Sequence, residues 1–167
     1  MRRSKRALLP LAAAVLVALV SVATARADDK AAKKPRHTDE KIQGRVVWLA
    51  EAQKRLLGVE SVPEAAERTL ALETTEGKLV PLVEDVRGRG FRVDKRLREM
   101  DVELLVRRYE GSPAVQILGV YRRQKEDRFE IDYWCDICAI AMYEQKPCEC
   151  CQGESRLRER KVMPAAR

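Results

Sequence analysis

Histidine occurs once in these 167 residues, at position 37, and aromatic residues make up only 5% of the chain. Each scarcity excludes something. His37 lies within residues 28–40 (DDKAAKKPRHTDE), which carry charges of both signs and no large apolar side chain. Such a stretch cannot bury enough surface to offset its ordering entropy. It reads as a disordered linker carrying a solvated histidine, so the folded part is expected to hold no Ser-His-Asp triad, no Cys-His pair and no H-E-x-x-H helix. Aromatics this sparse form no stacking row for single-stranded nucleic acid, and Phe91, Tyr109 and Tyr121 are expected in the core or at strand edges.

What is present begins with an export signal. Met1 to Arg6 is a basic head, Ala7 to Ala23 is apolar, and Ala25-Arg26-Ala27 fits a small-x-small cleavage site, placing the cut between Ala27 and Asp28. An uncleaved anchor is the rival, weakened by Pro10 and the many alanines. No cysteine lies near the cut, which argues against a lipid anchor, and the residues after Arg2-Arg3 fit a twin-arginine signal poorly. Cleavage changes the electrostatics. The formal +7 of the whole chain includes five basic and no acidic residues within 1–27, so the mature chain has 28 basic against 26 acidic side chains. The argument for nucleic acid from net charge then disappears. About 140 residues remain, enough for one domain with a real core. A periplasmic or extracellular location is expected, with no membrane association after cleavage.

From Lys41 the pattern is that of short strands. Ile42 to Leu49 is β-branched and aromatic, with Gly44 suited to a bulge or bend, and Ala50 to Leu57 is a short helix stopped by Gly58. Arg68 to Thr74 and Lys78 to Val83 flank Thr75-Glu76-Gly77 as a hairpin, with Pro81 marking an edge or bulge. The run Arg87-Gly88-Arg89-Gly90 reads as a solvated loop with a tight turn, followed by a helical turn at Lys95 to Met100. If that loop has a partner, an anionic polysaccharide or a protein surface fits better than nucleic acid. Strands follow at Val102 to Tyr109, Ala114 to Arg122 and Arg128 to Trp134, the last running straight into Cys135. About five strands with a helical segment between the third and fourth resemble an OB-fold, a small Greek-key barrel, over residues 41–122. The resemblance implies a mainly β fold. It transfers no ligand to particular residues.

Five cysteines crowd the last third of the chain: Cys135, Cys138, Cys148, Cys150 and Cys151. Four of them follow C-x2-C-x9-C-x2-C, and two such knuckles side by side supply four thiolates in a rough tetrahedron, the arrangement of a structural Zn2+ site. Thiolates are soft ligands that favour Zn2+, Cu(I) or iron over Ca2+ or Mg2+. With Ala139 to Tyr143 as a strand and Gln145-Lys146-Pro147 as the turn back, the tail resembles a zinc ribbon. Its nine-residue spacer is shorter than usual, and Ala139 and Gln152 stand where such knuckles commonly carry glycine. The tail from CDIC to CCQG also resembles that of uncharacterised exported bacterial proteins. The absence of histidine after Cys138 and Cys151 excludes a c-type haem. Disulfides suit an oxidising compartment but leave one cysteine over, and no thioredoxin-like βαβ pattern surrounds either C-x2-C.

The expected organisation is a signal peptide (1–27), linker (28–40), OB-like domain (41–131), four-cysteine metal-binding extension (132–162) and disordered tail (163–167). The expected ligands are Cys135, Cys138, Cys148 and Cys151 on a structural Zn2+, with Cys150 a substitute ligand or free thiol. A closed four-thiolate site keeps no open position for a water, so the expected protein is a non-catalytic binding or structural module with a protein or polysaccharide partner. Ile137, Ile140, Met142 and Tyr143 are expected as a packing surface, in the core more than at an interface. The alternative is a thiol-disulfide or soft-metal (Cu/Zn) handling protein that uses the same cysteines.

Overall fold

The computed structural model describes residues 35–163. The expected signal peptide (1–27), the first part of the expected linker and the last four residues lie outside them. In chain order the elements are β1 (His37–Trp48), α1 (Leu49–Leu57), a 3-10 turn (Pro63–Ala65), β2 (Leu70–Thr74), β3 (Leu79–Pro81), α2 (Val86–Val93), α3 (Lys95–Arg98), β4 (Asp101–Tyr109), β5 (Val115–Gln124), β6 (Asp127–Cys135), β7 (Ile140–Met142) and β8 (Arg156–Lys161). The fold is mainly β, as its pattern of short strands implies. All eight strands join one antiparallel sheet of order β3-β2-β1-β4-β5-β6-β7, with β8 paired to β6.

The sheet does not close into a full barrel. The residues just after β3 meet the start of β5 at one point, a parallel bridge between Leu82 and Val115, where the Val83 N–H donates to the Val115 carbonyl at 2.9 Å. β1 pairs with both β2 and β4, and those two ladders overlap at Gly44 and Arg45. Gly44 is required there, because a Cβ would sit 2.0 Å from the Glu73 carbonyl oxygen. A helical segment lies between β3 and β4. This order and pairing are those of a partly open Greek key.

The core follows strand alternation. Val46 and Trp48 of β1, Leu70 and Leu72 of β2, Leu104 and Val106 of β4, and Val115 and Ile117 of β5 are buried together with Phe91 and Leu97 from α2 and α3. The core continues without a break into Ile131, Tyr133, Cys135, Met142 and Cys148, so the tail shares it. The expected boundary at 131/132 falls inside β6, and β7 and β8 pair with that same strand. Of the aromatics weighed for stacking, Phe91 is fully buried, Tyr121 lies under the Arg128 guanidinium at 3.4 Å, and Tyr109 is partly buried at a strand end.

Two sequence expectations need correction, and one strand was not foreseen. The linker was expected to run to Glu40, yet β1 starts at His37 and residues 37–40 pair with Tyr109 to Val106 of β4. Polar composition is no obstacle, because these residues are mostly exposed and cross-strand pairs Asp39–Arg107 (2.8 Å) and Glu40–Arg108 (2.7 Å) join the backbone ladder. His37 therefore belongs to the folded body, exposed and edge-on to Tyr109 with ring centroids 5.8 Å apart. The Arg87-Gly88-Arg89-Gly90 run is helix rather than loop, capped by the Asp85 carboxylate, which accepts from the Arg87 and Gly88 amides at 3.1 Å. Finally, residues 156–161 form a strand that no apolar alternation announces.

Candidate metal centre

The site is built on β6. Its alternation buries Ile131, Tyr133 and Cys135 while Trp134 stays half-buried, and the strand ends on the first cysteine. The Tyr133 hydroxyl donates to Asp94 at 2.7 Å inside the core, tying this end of β6 to the start of α3. Burial pushes the Tyr133 phenol well above its usual range, with the Asp94 hydrogen bond acting in the same direction. For Asp94, burial pushes the carboxyl up, but hydrogen bonds from Arg96 and Tyr133 more than offset it and leave the group below its ordinary value.

After Cys135 the chain turns through Cys138 into β7, whose Ile140 pairs back with Cys135. The loop that follows is clamped on α2. Gly90 brings the helix so close that a Cβ would meet the Tyr143 carbonyl oxygen at 2.6 Å, Arg89 pairs with the buried Glu144 at 2.9 Å, and Arg87 stacks on the Tyr143 ring at 3.7 Å. The chain then passes Cys148 to Cys151, and β8 returns along the other edge of β6, so β7 and β8 flank the same strand. Both knuckles therefore hang on one rigid element.

β8 contains no fully buried residue; beside its ladder to β6 and the half-buried Leu157, charge complementarity holds it. Arg156 pairs with Asp136 at 2.8 Å, Arg158 with buried Asp132 at 2.6 Å, Arg160 with Glu130, and Lys161 with Asp127 at 2.8 Å. The Arg158 guanidinium also lies 3.8 Å over the Trp134 ring.

The two C-x2-C segments have matching geometry. The Ala139 amide donates to the Cys135 carbonyl at 2.9 Å, and the Gln152 amide donates to the Cys148 carbonyl at 2.9 Å. Ala139 and Gln152 take the left-handed conformation, with φ of 53° and 59°. The backbone thus adopts the turn that glycine would ease, at a cost of about 1–2 kcal/mol per residue. The sulfurs of Cys135, Cys138, Cys148 and Cys151 all lie within 4.8 Å of one another, with Cys135 and Cys151 at 3.5 Å. Four sulfurs about 2.3 Å from a zinc ion would be about 3.8 Å apart, so the cluster needs only a small contraction to enclose one. Cys135 and Cys148 are buried, Cys138 and Cys151 half-buried, and Cys150 is exposed.

The charges favour a cation. The backbone of Cys151 and Cys150 near the Cys148 sulfur favours its thiolate and lowers the thiol to about 7. Around Cys135, the Cys138 amide favours the thiolate, but burial and the sulfurs of Cys148 and Cys151 outweigh it and leave the thiol above its usual value. Cys138 is pushed far up by the neighbouring sulfurs of Cys150 and Cys151. Ionising several sulfurs this close together is opposed by their mutual repulsion, which a positive ion among them would relieve.

The structure thus brings together the four cysteines singled out by spacing and leaves Cys150 at the rim. Among the described residues, this is the one group of three or more His, Cys, Asp or Glu side chains placed to hold a metal ion. The packing surface expected at Ile137, Ile140, Met142 and Tyr143 is divided: Met142 is buried, Ile140 and Tyr143 are marginally exposed, and Ile137 is 76% exposed. The supporting residues Gly90, Arg89 and Glu144 escaped sequence reasoning, because their signal is a close approach between segments more than fifty positions apart. No family model, curated protein or solved structure matches the chain.

Proposed function

We propose that this is an exported, non-catalytic binding or structural module whose C-terminal strands are fixed by a structural zinc ion on Cys135, Cys138, Cys148 and Cys151. The observation that carries the reading is the pair of matching knuckles, whose four sulfurs converge within 4.8 Å. Four thiolates fill a tetrahedral zinc, so the metal offers no position for an activated water and works as a staple. A staple suits this segment, since β7 is three residues long and β8 has no fully buried residue. Export is supported by the basic head, apolar run and Ala25-Arg26-Ala27 site. No helix among the described residues is long and apolar enough to cross a membrane. The partner is a protein or polysaccharide.

A second reading, thiol-disulfide or soft-metal handling, draws support from the exposed thiol of Cys150 beside the cluster. Elemental analysis and thiol titration of the purified mature protein separate the two. The module reading expects one zinc per chain and rapid labelling of Cys150 alone. A metal-free protein with readily reduced C-x2-C disulfides contradicts it. An N-terminus at Asp28 in the exported fraction tests the cleavage site.

A further inference from the structure

We infer that the first half of β1 is a self-complementary edge through which two copies of this chain pair, joining their sheets across a two-fold axis at Glu40. β1 pairs with β4 along His37 to Arg45, but with β2 only from Gly44 to Trp48. Among the described residues, no strand pairs with the other edge of residues 37–43. An open edge presents unpaired N–H and C=O groups, a template for a further strand. This stretch contains no proline, and its pairing with β4 runs without a register shift, so neither of these common devices blunts it.

Two hydrogen bonds fix which backbone groups face that edge. The Gln43 carbonyl accepts from the Thr75 amide at 3.2 Å on the β2 side, and the Arg36 carbonyl accepts from the Glu110 amide at 3.0 Å on the β4 side. Peptide groups of successive residues alternate between the two edges of a strand. Thr38, Glu40 and Ile42 therefore serve β4, while His37, Asp39 and Lys41 turn their groups to the open edge.

Length, backbone and charge select the same antiparallel register. The open stretch is bounded by the start of β1 at His37 and by β2 after Gln43, so the pairing that uses all of it is centred on Glu40. That register sets Asp39 of each copy opposite Lys41 of the other, and both residues have the outward backbone groups needed to exchange hydrogen bonds. Their exposed side chains then meet on one face with opposite charge. The ion pairs of β1 within the chain are Arg45–Asp101, Asp39–Arg107 and Glu40–Arg108, and Lys41 joins none of them. Moving the centre by one residue would set Asp39 or Lys41 against its own copy. At the axis Glu40 meets Glu40, each neutralised by its own Arg108 at 2.7 Å. The outer edge of β8 has no such spare charge, since Arg156, Arg158, Glu159, Arg160 and Lys161 are all paired within the chain. The resulting contact is isologous and closed, and its small size makes it reversible and concentration-dependent.

The test is sedimentation velocity of the purified protein from about 1 to about 500 µM, with residue-resolved amide exchange at both ends of that range. The expected result is a dimer that dissociates on dilution, with the Asp39 and Lys41 amides protected only at high concentration and those of Glu40 and Ile42 protected throughout. Lys41→Glu and Asp39→Lys each set like charges across the axis and should weaken the dimer at least about tenfold. An equimolar mixture of the two variants should dimerise again, because the introduced charges then face each other with opposite sign. A monomer throughout the range, a dimer indifferent to Lys41→Glu, unchanged protection of Asp39 and Lys41, or a mixture that stays monomeric overturns the inference. If Asp39→Lys fails to fold on losing its Arg107 pair, Lys41→Glu and the amide pattern of the parent chain decide.

Discussion

Replacing Gly90 by alanine sets two physical effects of opposite sign against each other, and the contact between α2 and the metal-site loop decides which wins. In an uncrowded helix interior, glycine to alanine stabilises by about 1 kcal/mol, through the backbone entropy that glycine loses. At Gly90 the new Cβ would lie 2.6 Å from the Tyr143 carbonyl oxygen and 3.8 Å from the Leu97 side chain. The obstructing atom is backbone, held by the Arg89–Glu144 pair on one side and by β7 on the other, so it cannot swing aside as a side-chain tip would. Overpacking of this kind costs about 1–3 kcal/mol. The expected net effect is a destabilisation of about 1 kcal/mol, equivalent to a fall in the urea midpoint of about 0.5 M at a slope of about 2 kcal/mol/M. The assay is equilibrium urea unfolding of parent and variant, each metal-loaded and each after chelation. A variant more stable than the parent by about 1 kcal/mol would show that helix propensity alone governs the site and that α2 does not clamp the loop.

Other expectations follow from the same geometry. Ala139→Gly should stabilise the protein by about 0.5–1 kcal/mol, because φ of 53° strains alanine and not glycine; calorimetry should show a higher Tm, and a lower one contradicts the knuckle geometry. Arg158→Met leaves the buried Asp132 carboxylate without its bidentate partner and should cost about 3 kcal/mol, with part of the loss recovered when Asp132→Asn is added. On acidification, Asp136 and Asp39, held below their usual value chiefly by hydrogen bonds from Arg156 and Arg107, contribute stability that is complete above the ordinary carboxyl value of 3.8 and lost as pH falls through their lower folded values. Hydrogen exchange between pH 5 and 2.5 should accordingly show the amides at the start of β8, beside Asp136, and at the His37–Glu40 end of the β1–β4 pairing, beside Asp39, opening before those of the buried part of β4.

Legibility differed by element for physical reasons. The β2–β3 hairpin, the end of α1 at Gly58 and the run of β6 into Cys135 depend on local turn chemistry and alternation, and all three are present near the positions their residues imply. The cysteine cluster was legible because ligand spacing is itself local. β8 was not, because a strand whose one apolar residue, Leu157, is half-buried has no hydrophobic period, and its affinity for β6 is largely a pattern of opposite charges between segments about thirty residues apart. The same holds for residues 37–40, whose partners lie on β4. Gly88 and Gly90 look like turn residues in isolation. In the fold they are helix positions where backbone carbonyls of Val83 and Tyr143 leave no room for a Cβ.

The most direct test of the account is X-ray absorption at the metal edge of the purified protein. The account predicts one zinc per chain in a single shell of four sulfurs at about 2.3 Å, with no nitrogen or oxygen neighbour. A shell containing oxygen or nitrogen, or a protein without metal whose cysteines are paired as disulfides, would contradict it.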